Sequence, residues 1–183
     1  MPNKDAFFGV FKEVLHTALI SLAIFFFVYI LIVQPHRVKG ESMVPNFQDG
    51  ELLLTEKVTY RFQNVKRGDV VVFEAPTARK VDYIKRIIGL PSDLVEIQNG
   101  SVFINGKQLT EPYETQSTDG NLKITVGENQ YFVLGDNRMA SSDSRSFGPI
   151  AKGSIKGRSW LVYWPIGKWR LISSVNYTVS NSL

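Results

Sequence analysis

The first 33 residues and the remaining 150 follow two different hydrophobic patterns. From Thr17 to Val33 there is no charged residue, only Thr-Ala-Leu-Ile-Ser-Leu-Ala-Ile-Phe-Phe-Phe-Val-Tyr-Ile-Leu-Ile-Val. With Val14, Leu15 and His16 the run reaches the roughly 20 residues that span about 30 Å of hydrocarbon as a helix. A soluble core helix of this composition would have to be buried on every face. Gln34-Pro35-His36 follows the run where a cleavable leader would carry a small-x-small site, so the segment is expected to stay attached. Tyr29, near one end, suits a membrane–water interface.

After this run the apolar stretches become short, and turn residues separate them. Glu51–Thr55 and Val70–Phe73 read as strands, the second ended by Pro76. Val81–Ile88 is a longer strand closed by Gly89-Leu90-Pro91. Period two puts Tyr83, Lys85 and Ile87 on one face and Ile84, Arg86 and Ile88 on the other. Leu94–Ile97 and Val102–Ile104 form a hairpin around Gln98-Asn99-Gly100, and Asn105-Gly106 is a second tight-turn signal. Leu122–Val126, Gln130–Leu134 and Ser159–Trp164 are further strands, and the polar stretch from Thr110 to Asn121 is a loop. No helical period occurs outside the anchor. The expected fold is mainly β: a coiled antiparallel β-sheet domain behind one N-terminal transmembrane helix. Its divisions are a short tail over 1–13, a helix over 14–33 and a β-rich domain over 34–183. A small hairpin-and-loop region is inserted at about 98–130.

Composition narrows the chemistry. In 183 residues there is room for one core domain and an anchor. No cysteine is present, which excludes disulfides, thiolate zinc sites and a cysteine nucleophile. His16 and His36, the only histidines, flank the apolar run, so a histidine base in a triad is not expected. The net charge of +4 lies wholly after the run, as 19 basic against 15 acidic residues. That excess suits an anionic membrane surface. Without a dense basic run or a nucleic-acid motif, it does not suggest a nucleic-acid partner. Basic residues on both sides of the run leave its orientation undecided.

Three stretches carry candidate chemistry. Gly40-Glu41-Ser42-Met43-Val44-Pro45 is a turn that presents a hydroxyl, with Pro45 holding Val44 extended. It begins a few residues past the anchor, so Ser42 lies within about 30 Å of the bilayer even on a fully extended link. A serine hydroxyl needs a base. Lys85, among Tyr83, Ile84, Ile87 and Ile88, becomes one if burial lowers its pKa. The ordinary reading of a strand lysine is a side chain turned to water. Gly135-Asp136-Asn137-Arg138-Met139-Ala140-Ser141-Ser142-Asp143-Ser144-Arg145 is a turn rich in hydrogen-bonding groups, with charges for an Asp143–Arg145 ion pair and a partner for Asp136.

Taken in order, Ser42-Met43-x-Pro45, Arg67-Gly68-Asp69-Val70-Val71, Tyr83-Ile84-Lys85-Arg86-Ile87-Ile88-Gly89-Leu90-Pro91 and Gly135-Asp136-Asn137-Arg138…Ser141-x-Asp143-Ser144-Arg145 closely resemble the four boxes of the type I signal peptidases. The likeness runs from the anchor to about Trp164. The single anchor and the short segment before Gly135 resemble the Gram-positive branch. The resemblance implies a serine endopeptidase with Ser42 as nucleophile, its N–H in the oxyanion hole, Lys85 as general base and Ser141 orienting the lysine. It gives Arg86, Asp136, Asp143 and Arg145 supporting roles, and Val38, Met43, Phe47, Tyr83 and Ile84 the substrate pockets. Its substrates would be secreted preproteins, cut after a small-x-small site, with the peptide added as a strand. No cofactor or metal is implied.

The same likeness implies a single-pass plasma-membrane protein with a cytoplasmic N-terminus and an extracytoplasmic catalytic domain. Its partners would be signal peptides and the lipid bilayer; oligomeric state is left open. Two departures stand out. Gly40 lies where some members place an oxyanion-hole serine, so the hole must rest more on backbone N–H. Ser92 lies where glycine usually follows Leu-Pro, and a tolerated turn change is expected. Competing readings are an inactive membrane-tethered peptide binder and another Ser-Lys hydrolase. The first would lack Ser42 or Lys85, and the second has no use for a spanning helix.

Overall fold

In the computed structural model, residues 4–180 are described apart from 79, 114–116, 174 and 176. The chain divides into two units, 1–34 and 35–183. The first is helix α1 (Lys4–Ile32). Residues 1–3 of the expected tail lie outside the described residues, and the rest of the tail is helical. Phe8, Val10 and Phe11 carry the apolar character back toward the N-terminus, which gives the helix no reason to stop at Val14. The stretch Phe8–Tyr29 is long and apolar enough to cross a membrane, at 22 residues and a mean hydropathy of 1.8. Its side chains are exposed all round, as befits a helix that is apolar on every face.

Strand β1 (Val33–Arg37) begins in the last two residues of the first unit, and the second continues with β2 (Leu52–Glu56), a helical turn α2 (Thr59–Phe62), and strands β3 (Val70–Glu74) and β4 (Asp82–Gly89). There follow β5 (Leu94–Gln98), β6 (Ser101–Ile104), β7 (Lys107–Thr110), β8 (Leu122–Thr125) and β9 (Gln130–Leu134). The turn α3 (Ser144–Phe147) leads to β10 (Ile150–Ala151), β11 (Ile155–Trp164), β12 (Arg170–Leu171) and β13 (Thr178–Ser180). Among the described residues these strands form two sheets. One runs β1-β2-β11-β3-β4-β9-β10, with β12 beside β11. The other runs β13-β7-β6-β5-β8. All the registers seen are antiparallel.

The period-two reading of β4 holds, because its two faces enter different cores. Tyr83 and Ile87 pack with Val71, Phe73, Tyr131 and Val133. From the other face Ile84 reaches the cluster of Val38, Met43, Phe47 and Leu53, and Ile88 the small-sheet cluster of Val95, Ile97, Val102 and Phe132. Phe73 and Phe132 are fully buried, each contributing about 1.5–3 kcal/mol. Gly89 marks the passage from one sheet to the next. A Cβ there would lie 2.7 Å from Val95 and 2.9 Å from Phe132, so no larger residue fits.

The hairpin expected around Asn99-Gly100 forms, pairing Ile97 with Val102 and Val95 with Ile104. Strands β1, β7, β10, β12 and β13 were not read from the sequence, and Val33, expected to end the helix, opens β1 instead. The last three are two or three residues long, and pairing rather than pattern defines them. Strand β13 comes from the far C-terminus, yet it completes the small sheet by pairing Val179 with Leu109.

The turn after β4 explains the usual glycine after Leu-Pro. Ser92 has φ of 70°, in the left-handed region, while its N–H donates to Val126 O at 2.9 Å. A side chain in that region costs about 1 kcal/mol. Ser92→Gly should therefore raise stability by about 1 kcal/mol, read as a higher thermal midpoint. An unchanged or lower midpoint would show that the serine is accommodated without strain.

Candidate active site

Three segments far apart in sequence converge because of sheet register. The turn from Gly40 to Phe47 follows β1. Lys85 lies inside β4, paired with Val71 of β3. On the other side of β4, Arg86 pairs with Leu134 at the end of β9, so the next residue, Gly135, emerges beside Lys85. A Cβ on Gly135 would stand 2.2 Å from Ser141 Oγ and 2.5 Å from Ser42 O. Only glycine lets the Ser42 turn and the Ser141 loop close on this point. The Asn137 N–H then donates to Ser42 O at 3.0 Å and fixes the two segments together.

Lys85 is buried, at 4% exposure, because the Ser42 turn and the Gly135–Arg145 loop close around it where β9 stops pairing with β4. Its Nζ lies 2.7 Å from Ser42 Oγ, donates to Ile84 O at 3.0 Å, and sits 5.3 Å from the centre of the Tyr83 ring. Burial lowers its pKa from 10.5 to about 8, against the pull of Asp143 and Asp136, which favour the charged form. Both carboxylates are shared with arginines. Asp136 receives Arg86 Nε at 2.8 Å and Nη2 at 2.6 Å, while Arg86 Nη1 donates to Gly68 O at 3.0 Å. Asn46 Nδ2, from the Ser42 turn, donates to the same Asp136 at 2.9 Å. Asp143 receives Arg145 Nε and Nη2, both at 2.9 Å, and the Gly135 N–H at 3.1 Å.

Ser141 Oγ is buried and makes no hydrogen bond to Lys85 or to any other group among the described residues. No acceptor among the described residues takes the Ser42 N–H. The Gly40 N–H is engaged by Asp49 Oδ1 at 2.7 Å.

A cleft of about 290 Å³ opens in front of the pair. It is lined by residues 36–42, except Val38, and by Asp82–Lys85, together with Leu53, Val72, Ala140 and Ser142. Strands β1 and β4 are far apart in sheet order, so the sheet curls to bring them face to face without closing. The Asp82–Lys85 stretch pairs with β3 on one side, but β9 begins only at Arg86 on the other. An unpaired strand edge thus faces the cleft. Of the five expected pocket residues, Tyr83 and Ile84 line it, whereas Val38, Met43 and Phe47 belong to the buried core beneath. His36 stands in the cleft 3.6 Å from Asp82, away from Ser42's partners.

Asn46 was not singled out in the sequence, and Gly135 was quoted only within the Gly135–Arg145 motif, without a role of its own. Glycine at a close approach and asparagine in a turn leave no signal that separates them from ordinary turn residues.

A lysine held with a lowered pKa destabilises the fold wherever it is protonated. The shift from 10.5 to about 8 corresponds to roughly 3 kcal/mol. The unfolded chain binds the extra proton between pH 8 and 10.5, so the penalty is full below pH 8 and fades as pH rises through that window. Lys85→Met should be more stable than the parent chain at pH 7, with the gap closing toward pH 10.5 in denaturant melts. A gap that does not change with pH would contradict the depressed lysine.

Known proteins resemble this chain over most of its length. The family model "Signal peptidase, peptidase S26" matches residues 11–164. Signal peptidase IB of Staphylococcus aureus (strain COL) is 35% identical over 182 residues, covering 87% of this chain and 94% of the relative. Signal peptidase I of Bacillus amyloliquefaciens is 37% identical over 164 residues, covering 83% and 84%. A crystal structure of a signal peptidase I from Enterococcus faecalis V583 aligns at TM-score 0.48 and 32% identity, over 52% of this chain and 97% of that one. With its motifs in order and a family match over most of its length, the chain belongs to the signal peptidase family, peptidase S26.

Proposed function

We propose that this protein removes N-terminal signal peptides from secreted preproteins with a Ser42 nucleophile and a Lys85 general base. The observation that carries the reading is a buried amine of lowered pKa, 2.7 Å from the Ser42 hydroxyl. An extended peptide adds to the free Asp82–Lys85 edge, its backbone filling the unused N–H and C=O groups. Neutral Lys85 takes the Ser42 proton as Oγ attacks the scissile carbonyl, and the Ser42 N–H meets the developing oxyanion. Lys85 returns the proton to the departing amine, and water then releases the acyl-enzyme. Tyr83 and Ile84, with Leu53 and Val72, leave room for small side chains, which supports a small-x-small site. Val38, Met43 and Phe47 shape that space from the core behind it.

Ser141 aims the lysine. Once Lys85 is neutral, its lone pair must face Ser42, and its N–H groups need acceptors elsewhere. The orphaned, buried Ser141 Oγ beside Gly135 is available as one. Arg86–Asp136 and Arg145–Asp143 hold the two segments that carry these groups.

The test is cleavage of a preprotein with an Ala-x-Ala site by the detergent-solubilised full chain, with the cut located by mass spectrometry. Ser42→Ala and Lys85→Ala should each abolish cleavage, and the double variant should be no worse than either. The parent kcat/KM should rise as pH climbs through about 8 and stay high above it. Ser141→Ala should lose about 100-fold in kcat with little change in KM. Near-normal turnover by Lys85→Ala at pH 8, or an optimum below neutrality, would overturn the dyad.

In the membrane, α1 is the anchor, with the N-terminus cytoplasmic and residues after about His36 outside. The helix between Phe8 and Tyr29 supports a single span, and the family's preprotein substrates emerge on the outer face. Protease added to intact spheroplasts should degrade the domain and spare the anchor. Protection until lysis would reverse the assigned orientation.

A further inference from the structure

Behind the site runs a line of polar groups drawn from three distant parts of the chain. Arg138 is fully buried; its Nε donates to Gly135 O at 3.0 Å, its Nη1 to Thr118 Oγ1 and its Nη2 to Glu111 Oε2. The same Glu111 oxygen accepts the Tyr113 hydroxyl at 2.5 Å. That hydroxyl lies 2.7 Å from the Tyr177 hydroxyl, which must donate because the Tyr113 proton is already given to Glu111. Burial, reinforced by the Glu111 charge, pushes the Tyr113 pKa up, so it stays a donor at any working pH.

The same two rings also bear on the lysine's strand. The Arg86 guanidinium sits 4.1 Å from the centre of the Tyr113 ring, and the Tyr113 and Tyr177 rings meet edge to face at 6.3 Å. Tyr177 packs so closely on Gly68, whose carbonyl holds Arg86 Nη1, that a Cβ there would lie 2.9 Å from its ring. Directly after Tyr177 the chain enters β13, which docks on β7.

We infer that Tyr113 and Tyr177 are positioning residues for the catalytic pair, and that the C-terminal segment works as a strap on the active site. Through Glu111 and Arg138 they fix the Gly135 peptide against which Ser42 O and Ser141 are packed. Through Arg86 they keep the guanidinium flat on Asp136. The second effect is electrostatic. Lys85 faces two carboxylates, Asp136 and Asp143, covered by Arg86 and Arg145, and any loosening of Arg86 lets Asp136 act harder on the amine. Fewer lysines are then neutral at a given pH. The titratable and charged groups in front of the lysine, His36, Arg37, Lys39, Glu41 and Asp82, line the open cleft, apart from the strap's contacts on Gly68 and Arg86.

The inference rests on the Ser42–Lys85 reading, and the experiment separates the two. Tyr113→Phe, Tyr177→Phe and the double variant keep both rings and lose only hydroxyls. They are compared with Val102→Ala, which weakens the small-sheet core without touching the line. Turnover of one preprotein peptide across pH, and thermal midpoints, are measured for all.

Each single tyrosine variant should lose about 5- to 10-fold in kcat, the rate equivalent of one neutral hydrogen bond, with KM unchanged. The rising limb of the pH profile should stay in place in these variants, whose rings still lie on Arg86, and should move to higher pH in Tyr113→Leu, which removes the ring. The double variant should match the worse single one, because the hydroxyls act in series. Val102→Ala should melt earlier yet keep its kcat and its pH limb below the midpoint. The strap is overturned if the tyrosine variants behave like Val102→Ala, or if they raise KM alone. The dyad fails separately, if Ser42→Ala or Lys85→Ala keeps turnover.

Discussion

Burying an amine next to a hydroxyl opposes folding, and much of the second unit compensates for that one contact. A lysine in water is almost wholly protonated and useless as a base. Surrounded by Tyr83, Ile84 and the core of the curled sheet, Lys85 loses hydration and with it much of its preference for the charged form. The position works because the Ser42 turn and the Gly135–Arg145 loop close around the lysine where β9 stops pairing with β4. The same residue without that cover would reach water and return to its ordinary pKa.

Desolvation alone would not place the amine. Two carboxylates sit close enough to draw a proton back onto it, and each is covered by an arginine instead of being left to act on the lysine. Removing one member of such a buried pair leaves an uncompensated charge and is typically worth 3–5 kcal/mol. These ion pairs therefore work less as glue than as a means of holding the Gly135–Arg145 loop to β4 while muting its charge. Asp143 also caps the turn α3 and binds the Gly135 N–H, so the loop's shape and its electrostatics come from one side chain.

Access to the pair follows from an incomplete sheet. Strand β9 joins β4 only from Arg86 onward, and this leaves Asp82–Lys85 unpaired on the side facing the cleft. An unpaired edge is ordinarily an aggregation hazard. Here it is short, it sits inside a concave wall, and Lys39, Glu41 and Asp82 surround it with charge. A polypeptide could pair with that edge through its backbone, without side-chain recognition along its whole length.

The long apolar helix, the alternating faces of β4 and the hairpin at Asn99-Gly100 were legible in the sequence, because periodicity and turn chemistry are local properties. The candidates Ser42, Lys85, Asp136, Asp143 and Arg145, which the structure brings together, could be picked out because four motifs in order specify a family even when each is weak alone. The burial of Lys85 was not legible, because its cover comes from the Ser42 turn and the Gly135–Arg145 loop, both distant in sequence. Nor could the sequence place Val38, Met43 and Phe47 behind the cleft wall, or show that Gly135 is the point on which Ser42 and Ser141 close. It gave no hint that Tyr177, 92 residues beyond the lysine, packs on Gly68 and, through the Tyr113 ring, against Arg86. Sequence determines which groups are available and how each short segment folds. Which of them share a dry, charge-balanced space depends on contacts between distant segments, and those exist only once the sheet has curled.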